Sequence, residues 1–205
     1  MSIRVFVMSV WTVVVAAGEG RRFGSDKQSA DLGGVSVLGR SVATASAVSV
    51  GVVVVVGESR VEGARTLLAG VVGFVEVVSG GATRSASVRA GLAAVPRAAE
   101  VVLVHDGARP LATEAVYGRV IAAVRAGADA VVPVVAISDS LRSTSGGVVD
   151  REMVLAVQTP QGFGAAAIRA AHAGGADATD DATLVEANGG TVVVVTGETD
   201  NVKIT

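Results

Sequence analysis

The chain carries fifteen arginines but only two lysines, Lys27 and Lys203. Where arginine serves almost everywhere, a lysine can mark a place that needs a compact ammonium rather than a planar guanidinium; a biased genome would give the same count. Lys27 closes the segment Ala16-Ala17-Gly18-Glu19-Gly20-Arg21-Arg22-Phe23-Gly24-Ser25-Asp26-Lys27, which follows an apolar run. Gly18 and Gly20 lack Cβ, so backbone N–H groups can approach phosphate oxygens. Arg22 and Lys27 can neutralise charge that grows on those oxygens during group transfer. The segment is not a Walker loop, because no Gly-Lys-Ser/Thr follows. A dinucleotide fingerprint would place a third glycine where Phe23 stands, yet Glu58 lies near the expected acidic position after a second apolar run. A nicotinamide cofactor therefore stays open on this motif alone.

Other segments offer polar chemistry. Gly80-Gly81-Ala82-Thr83-Arg84-Ser85-Ala86-Ser87 could present N–H groups and the Ser87 hydroxyl to a base or sugar edge, or could be a tight turn with an N-cap. Val104-His105-Asp106-Gly107-Ala108-Arg109-Pro110 places charge directly after an apolar run, which is costly unless the charge is used or paired. Asp106 suits Mg²⁺ or a substrate hydroxyl, and Arg109 suits a phosphate. An internal Asp106–Arg109 ion pair is the structural alternative, and His105 reads as a satisfied structural histidine. Thr179-Asp180-Asp181 reads first as a helix cap. Gln158-Thr159-Pro160-Gln161-Gly162-Phe163 reads as a polar, proline-fixed stretch entering a helix, and Asn201–Thr205 as a last strand carrying Lys203.

Composition bounds these readings. Net charge is −2, so non-specific nucleic-acid binding is not expected. Half the residues are hydrophobic and 3% aromatic, so the core must be mostly Val, Ala and Leu. Cysteine is absent, which removes disulfides and thiolate catalysis. Apolar runs fall short of the about 18 residues of a membrane span, and no signal peptide is recognisable. The expectation is a soluble cytoplasmic protein of one domain.

Those residues need a scaffold. Apolar runs without polar alternation recur at 10–15, 52–56, 74–78, 101–104, 130–135 and 191–195, as in strands covered on both faces. Helical patterns lie between them at 62–68, 85–94, 115–125 (with Thr113 as N-cap) and 182–187. The alternation predicts an α/β fold, a Rossmann-like, mainly parallel sheet flanked by helices. Loops 16–27, 79–87 and 105–110 would then line one crevice at the strands' carboxyl ends. Residues 137–157 break the pattern and read as a protruding β-hairpin arm turning at Gly146-Gly147, which points to a dimer contact, with an ordinary surface loop as the alternative.

In this order, the segments 16–22, Lys27, Gly80-Gly81, Arg84, Ser87-Val88, 104–110, Asp139-Ser140, Arg151, 158–163, 179–182 and 201–205 resemble the 2-C-methyl-D-erythritol 4-phosphate cytidylyltransferase family of non-mevalonate isoprenoid biosynthesis. The resemblance implies a homodimer, joined through the arm, that uses CTP, Mg²⁺ and methylerythritol phosphate. It implies that Arg22 and Lys27 stabilise the transition state at the α-phosphate. Arg151, acting across the dimer, and Lys203 would position the methylerythritol phosphate, with Asp106, Arg109 and Ser140 also contacting it. Ala16, Ala17, Gly18, Glu19, Gly20, Gly81, Ala82, Ser87, Asp106 and Ala108 would surround the nucleotide, and Asp106 is the candidate metal ligand. The short Arg22–Lys27 loop is also similar to that of molybdenum-cofactor guanylyltransferases. That leaves a guanylyltransferase, a ribitol 5-phosphate cytidylyltransferase and a nucleotide-binding regulatory domain as alternatives.

Overall fold

The computed structural model describes residues 9–18 and 27–205. Among these residues ten strands and six α-helices alternate along most of the length: β1 Val10–Val15, α1 Val37–Val48, β2 Gly51–Val56, α2 Val61–Leu68, β3 Val75–Ser79, α3 Arg84–Ala94, β4 Val101–Asp106, α4 Glu114–Arg125 and β5 Ala130–Ala136. There follow β6 Leu141–Arg142, β7 Val148–Val149, β8 Leu155–Val157, β9 Gln161–Gly164, α5 Ala165–Ala173, α6 Asp181–Ala187 and β10 Val192–Thr196. The main sheet runs β10-β5-β9-β4-β1-β2-β3, with β8 added to the far end of β5. β1 pairs in parallel with β2 and β4, and β10 in parallel with β5, whereas β9 lies antiparallel between β4 and β5.

Because strand side chains alternate in direction, the valine runs feed two cores. Val10, Val14, Val52, Val54, Val101 and Leu103 pack on one face with α1, α2 and α4, through Leu38, Leu68 and Val120. Trp11, Val13, Val53, Val55, Val102 and Val104 pack on the other with α3, α5 and α6, through Leu92, Ile168 and Val185. Burial on both faces is what the unbroken apolar runs predict.

Three expectations need correction. Residues 161–164 are not merely an approach to a helix: they form a central strand, with α5 starting at Ala165. A Cβ on Gly162 would collide with the side chain of Val120, so glycine lets α4 lie directly over this strand. Residues 201–205 are not a strand; the sheet ends with β10, and the tail crosses the strand ends, tied there by Ile204 N–H to the Ala108 carbonyl at 2.9 Å. Thr113 occupies the N-cap position of α4 but makes no side-chain cap bond; its hydroxyl donates to Glu198 Oε1 at 2.6 Å.

The arm takes the expected hairpin form. β6 and β7 pair antiparallel around Gly146 and Gly147, whose φ angles of 99° and 87° favour glycine. The return strand β8 pairs antiparallel with β5. Val148, Met153 and Leu155 are exposed along this segment.

Candidate active site

The sheet order reverses at β1, which lies between β4 and β2, and a cleft opens there at the carboxyl ends of the strands. Its volume is about 250 Å³, and its walls come from all three loops expected to converge, together with the C-terminal tail. Ala16, Ala17, Gly18 and Lys27 form one side, Gly81, Ala82, Thr83, Arg84 and Ser87 another, and Asp106, Ala108 and Lys203 the third.

Each wall is held by backbone. The Ala16 N–H donates to the Val55 carbonyl at 2.7 Å, continuing the β1–β2 pairing past the strand end. Arg60 Nη2 donates to the carbonyls of Ala16 and Gly18, both at 3.2 Å, and so fixes the direction in which the loop leaves the sheet. At the second wall the Ser87 hydroxyl accepts from Gly81 N–H at 3.2 Å and donates to the Thr83 carbonyl at 3.0 Å. This side chain is 1% exposed, so its first role is to hold the glycine turn against the helix. A Cβ on Gly80 would come within 2.7 Å of that hydroxyl oxygen and 3.0 Å of the Ala17 Cβ, so the first two walls meet only through glycine.

Behind the third wall a polar relay sets the position of Asp106. The Asp106 N–H donates to Thr159 Oγ1 at 3.0 Å, and that oxygen lies 3.0 Å from His105 Nδ1. His105 Nε2 lies 3.2 Å from the Arg109 carbonyl. A carbonyl can only accept, so the proton sits on Nε2 and the Thr159 hydroxyl donates to Nδ1. Burial pushes His105 down to about 4, outweighing the neighbouring Asp106 carboxylate, and the imidazole is neutral at pH 7. His105 is thus structural, as expected.

Charge in the cleft is concentrated on a few groups. Lys203 Nζ lies 2.8 Å from Asp106 Oδ2, and Arg109 Nε lies 3.9 Å from the same oxygen. Burial alone would raise the Asp106 carboxyl; the charge and hydrogen bond of Lys203, aided by Arg84, outweigh it and hold the carboxyl below its ordinary value. The expected Asp106–Arg109 pair therefore exists, but Lys203 is the closer partner. Arg109 Nη1 donates to the Asn201 carbonyl at 2.6 Å, and Lys27 Nζ donates to the Ile204 carbonyl at 2.9 Å. Asn201 is fully buried and donates through Nδ2 to the Thr159 carbonyl at 2.9 Å. These bonds thread the tail through the site and bring the two lysines, 176 positions apart in sequence, to one cleft.

The expected site residues divide accordingly. Ala16, Ala17, Gly18, Lys27, Gly81, Ala82, Ser87, Asp106, Ala108 and Lys203 line the cleft. Arg109 stands beside the wall, bound to Asp106 and the tail. Ser140 and Arg151 lie on the exposed arm, where Arg151 Nη1 donates to the Ser138 carbonyl at 2.5 Å and Nε approaches Glu152 Oε1 at 3.4 Å. Glu19, Gly20 and Arg22 lie outside the described residues. Gln28 and Thr83 line the cleft and Arg60 pins its rim, although none was singled out for a role. Gln28 adjoins Lys27, and Thr83 stands in the glycine turn. Nothing in the sequence marks Arg60, which reaches across from the N-cap position of α2. Among the described residues no group of three or more His, Cys, Asp or Glu side chains could hold a metal unaided. Among the described residues one carboxylate, Asp106, faces the cleft, which suits a Mg²⁺ ion that takes most of its ligands from phosphates and water.

Comparison with known proteins bears on the family and the fold. A family model described as 2-C-methyl-D-erythritol 4-phosphate cytidylyltransferase matches residues 10–205. Proteins of that name from Rhodococcus opacus and Nocardia farcinica are each 45% identical, the match covering 96% of this chain and 89% of each relative. The crystal structure of the enzyme of that name from Thermus thermophilus superposes with a TM-score of 0.80 at 36% identity, over 97% of this chain and 93% of that one. The 4-diphosphocytidyl-2C-methyl-D-erythritol synthase of Anaerococcus prevotii gives a TM-score of 0.84 at 30% identity, over 96% and 92%.

Proposed function

The chain belongs to the 2-C-methyl-D-erythritol 4-phosphate cytidylyltransferase family, and from that premise we propose how its residues divide the work of joining CTP to 2-C-methyl-D-erythritol 4-phosphate. The products are 4-diphosphocytidyl-2-C-methyl-D-erythritol and pyrophosphate. The guanylyltransferase, ribitol-phosphate and oxidoreductase readings lose their support, since the match runs through residues 10–205 rather than through the first loop alone.

The carrying observation is the convergence of Lys27, Lys203 and Asp106 on one cleft at the sheet's switch point. A phosphate oxygen of the polyol substrate attacks the α-phosphorus of CTP, and the bond to the bridging oxygen of pyrophosphate breaks opposite it. A phosphate monoester is already nucleophilic near neutral pH, so no protein base is required, and catalysis rests on alignment and on charge. Lys27 meets the charge that develops on the α-phosphoryl oxygens, together with Arg22. Asp106 accepts from the polyol hydroxyls. A phosphate dianion competes with Asp106 for Lys203 and so draws the ammonium onto the substrate. Gly18 and Gly81 let the nucleotide approach backbone closely, with Ala17, Ala82, Ser87 and Ala108 shaping its walls. A Mg²⁺ ion, held by the triphosphate with Asp106 as its protein ligand, would neutralise the leaving pyrophosphate.

The arm, residues 137–157, would join two copies and carry Arg151 and Ser140 to the partner's cleft. Its exposed Val148, Met153 and Leu155 support an interface there. We place the activity in the cytoplasm, where CTP is available; no described helix is long and apolar enough to cross a membrane. The test is pyrophosphate release with Mg²⁺ and each pairing of CTP or GTP with methylerythritol phosphate or ribitol 5-phosphate. Release is expected with CTP and methylerythritol phosphate; equal rates with GTP or with ribitol 5-phosphate would overturn the assignment.

A further inference from the structure

Arg84 opens α3 at the positive end of its dipole, in a first turn without an acidic residue. A cation is disfavoured there and needs a counter-charge. Asp181 supplies it from the start of α6: its Oδ2 lies 2.8 Å from Arg84 Nη2, and its side chain has no exposed surface. The other oxygen, Oδ1, lies 3.0 Å from Nε2 of His172, which sits at the end of α5 and is also buried. Apolar side chains of similar volume commonly fill such a position just as stably, so stability alone does not explain a buried Arg–Asp–His relay. The outer end of the relay faces the cleft that Arg84 lines. Arg84 Nη1 is buried and makes no hydrogen bond among the described residues, and Asp181 Oδ2 accepts none either, so the aspartate holds the guanidinium as an ion pair, by charge and proximity. A planar guanidinium held by a buried carboxylate has a restricted orientation, and its face toward the cleft suits phosphate or hydroxyl oxygens.

We propose that Asp181, itself oriented by His172, is a positioning residue that aims the Arg84 guanidinium at an oxygen of the bound nucleotide's ribose or phosphates. This rests on the cytidylyltransferase reading. The residue types alone hide it, since the 179–181 segment reads as a helix cap. Asp180 does cap α6, accepting from Thr183 N–H at 2.8 Å, which leaves Asp181 to serve the cleft.

The test measures Mg·CTP affinity by calorimetry beside steady-state kinetics, in single and double variants. Arg84→Ala is expected to weaken CTP binding about tenfold, the size of one charge-assisted hydrogen bond. Asp181→Asn should do the same, His172→Leu should weaken it by a smaller factor, and His172→Gln, which keeps an N–H donor, should stay near wild type. The KM for the polyol phosphate should stay constant throughout. In an Arg84→Ala background neither His172→Leu nor Asp181→Asn should weaken CTP binding further. A purely structural role would instead lower the melting temperature in every background without changing the affinity of the folded protein. A folded Asp181→Asn variant that binds CTP within about twofold of wild type would overturn the proposal. So would a His172→Leu effect of equal size with and without Arg84, and that comparison decides the matter if Asp181→Asn fails to fold. Wild-type protein that binds CTP yet forms no product would sink the proposed reaction while leaving this binding test decisive.

Discussion

Replacing Lys203 by alanine tests the electrostatic design of the cleft most directly. Its ammonium sits 2.8 Å from Asp106 Oδ2, with the lysine side chain 44% exposed and the aspartate 15% exposed. Coulomb's law at that separation gives about 1.5 kcal/mol in water and about 6 kcal/mol at an effective dielectric near 20. Exposure of the lysine places the pair toward the lower figure, and screening together with side-chain entropy leaves about 1 kcal/mol of stability at stake. The kinetic cost should be larger. Losing a charge-assisted bond to the substrate phosphate removes about 1.5–3 kcal/mol, or roughly 10- to 150-fold in kcat/KM. The loss should fall on the polyol phosphate, with CTP affinity little changed. Asp106 should also respond, because Lys203 is the main group holding its carboxyl below the ordinary value against burial. Without the ammonium that value rises, so protonation of Asp106, and the acidic fall in kcat/KM that accompanies it, should move to higher pH. The assays are pyrophosphate release between pH 4.5 and 8.5 and urea unfolding of the same proteins. A variant with kcat/KM within about threefold of wild type and an unmoved acidic limb would refute the reasoning.

Other outcomes follow from the same geometry. Lys27→Ala should lower kcat far more than it raises the KM for CTP, because its main contact would be made in the transition state; an unchanged kcat removes Lys27 from the mechanism. His105, pushed down to about 4 by burial from an unfolded value near 6.5, makes the unfolded chain bind the extra proton between those limits. Its contribution to stability is therefore complete above about pH 6.5 and lost as pH falls toward 4, by about 3 kcal/mol at most, and His105→Gln should flatten that part of a stability–pH curve measured by urea unfolding. Met153→Asp, at an arm position 80% exposed, should shift the protein toward monomer in sedimentation velocity and lower activity by withdrawing Arg151 from the partner's cleft; an unaltered sedimentation coefficient would show that the arm's apolar residues hold no interface.

The β-branched runs show how far local pattern reaches. Val52–Val56 and Val101–Val104 need no partner to be recognised, because an uninterrupted apolar stretch of that length must be covered on both faces. The crevice follows as well, since loops after parallel strands gather at one edge of the sheet. Helix α1 is harder to read: Val37-Leu38-Gly39-Arg40-Ser41-Val42 mixes β-branched residues with glycine, and it is helical because Leu38, Val42 and Ala45 pack against the sheet. Strand β9 is hidden for a related reason. Gln-Gly-Phe-Gly has poor strand propensity, and only simultaneous pairing with β4 and β5 makes it extended.

For the site, residue types and order were enough to nominate Lys27, Lys203, Asp106 and the glycine turns, because chemistry of this kind needs particular donors beside backbone that can come close to phosphate. Which charges face one another was decided by the tertiary structure. Arg109 looks like the partner of Asp106 from three positions away, yet Lys203, brought back by the tail's bonds to Ala108, Thr159 and Lys27, stands closer. Asp181 looks like part of a cap until α5 and α6 pack side by side and bury it between His172 and Arg84. Propensity and periodicity act over a few residues and are written in the chain itself; electrostatic partnership depends on distance through space, which exists only after the sheet has closed its two cores.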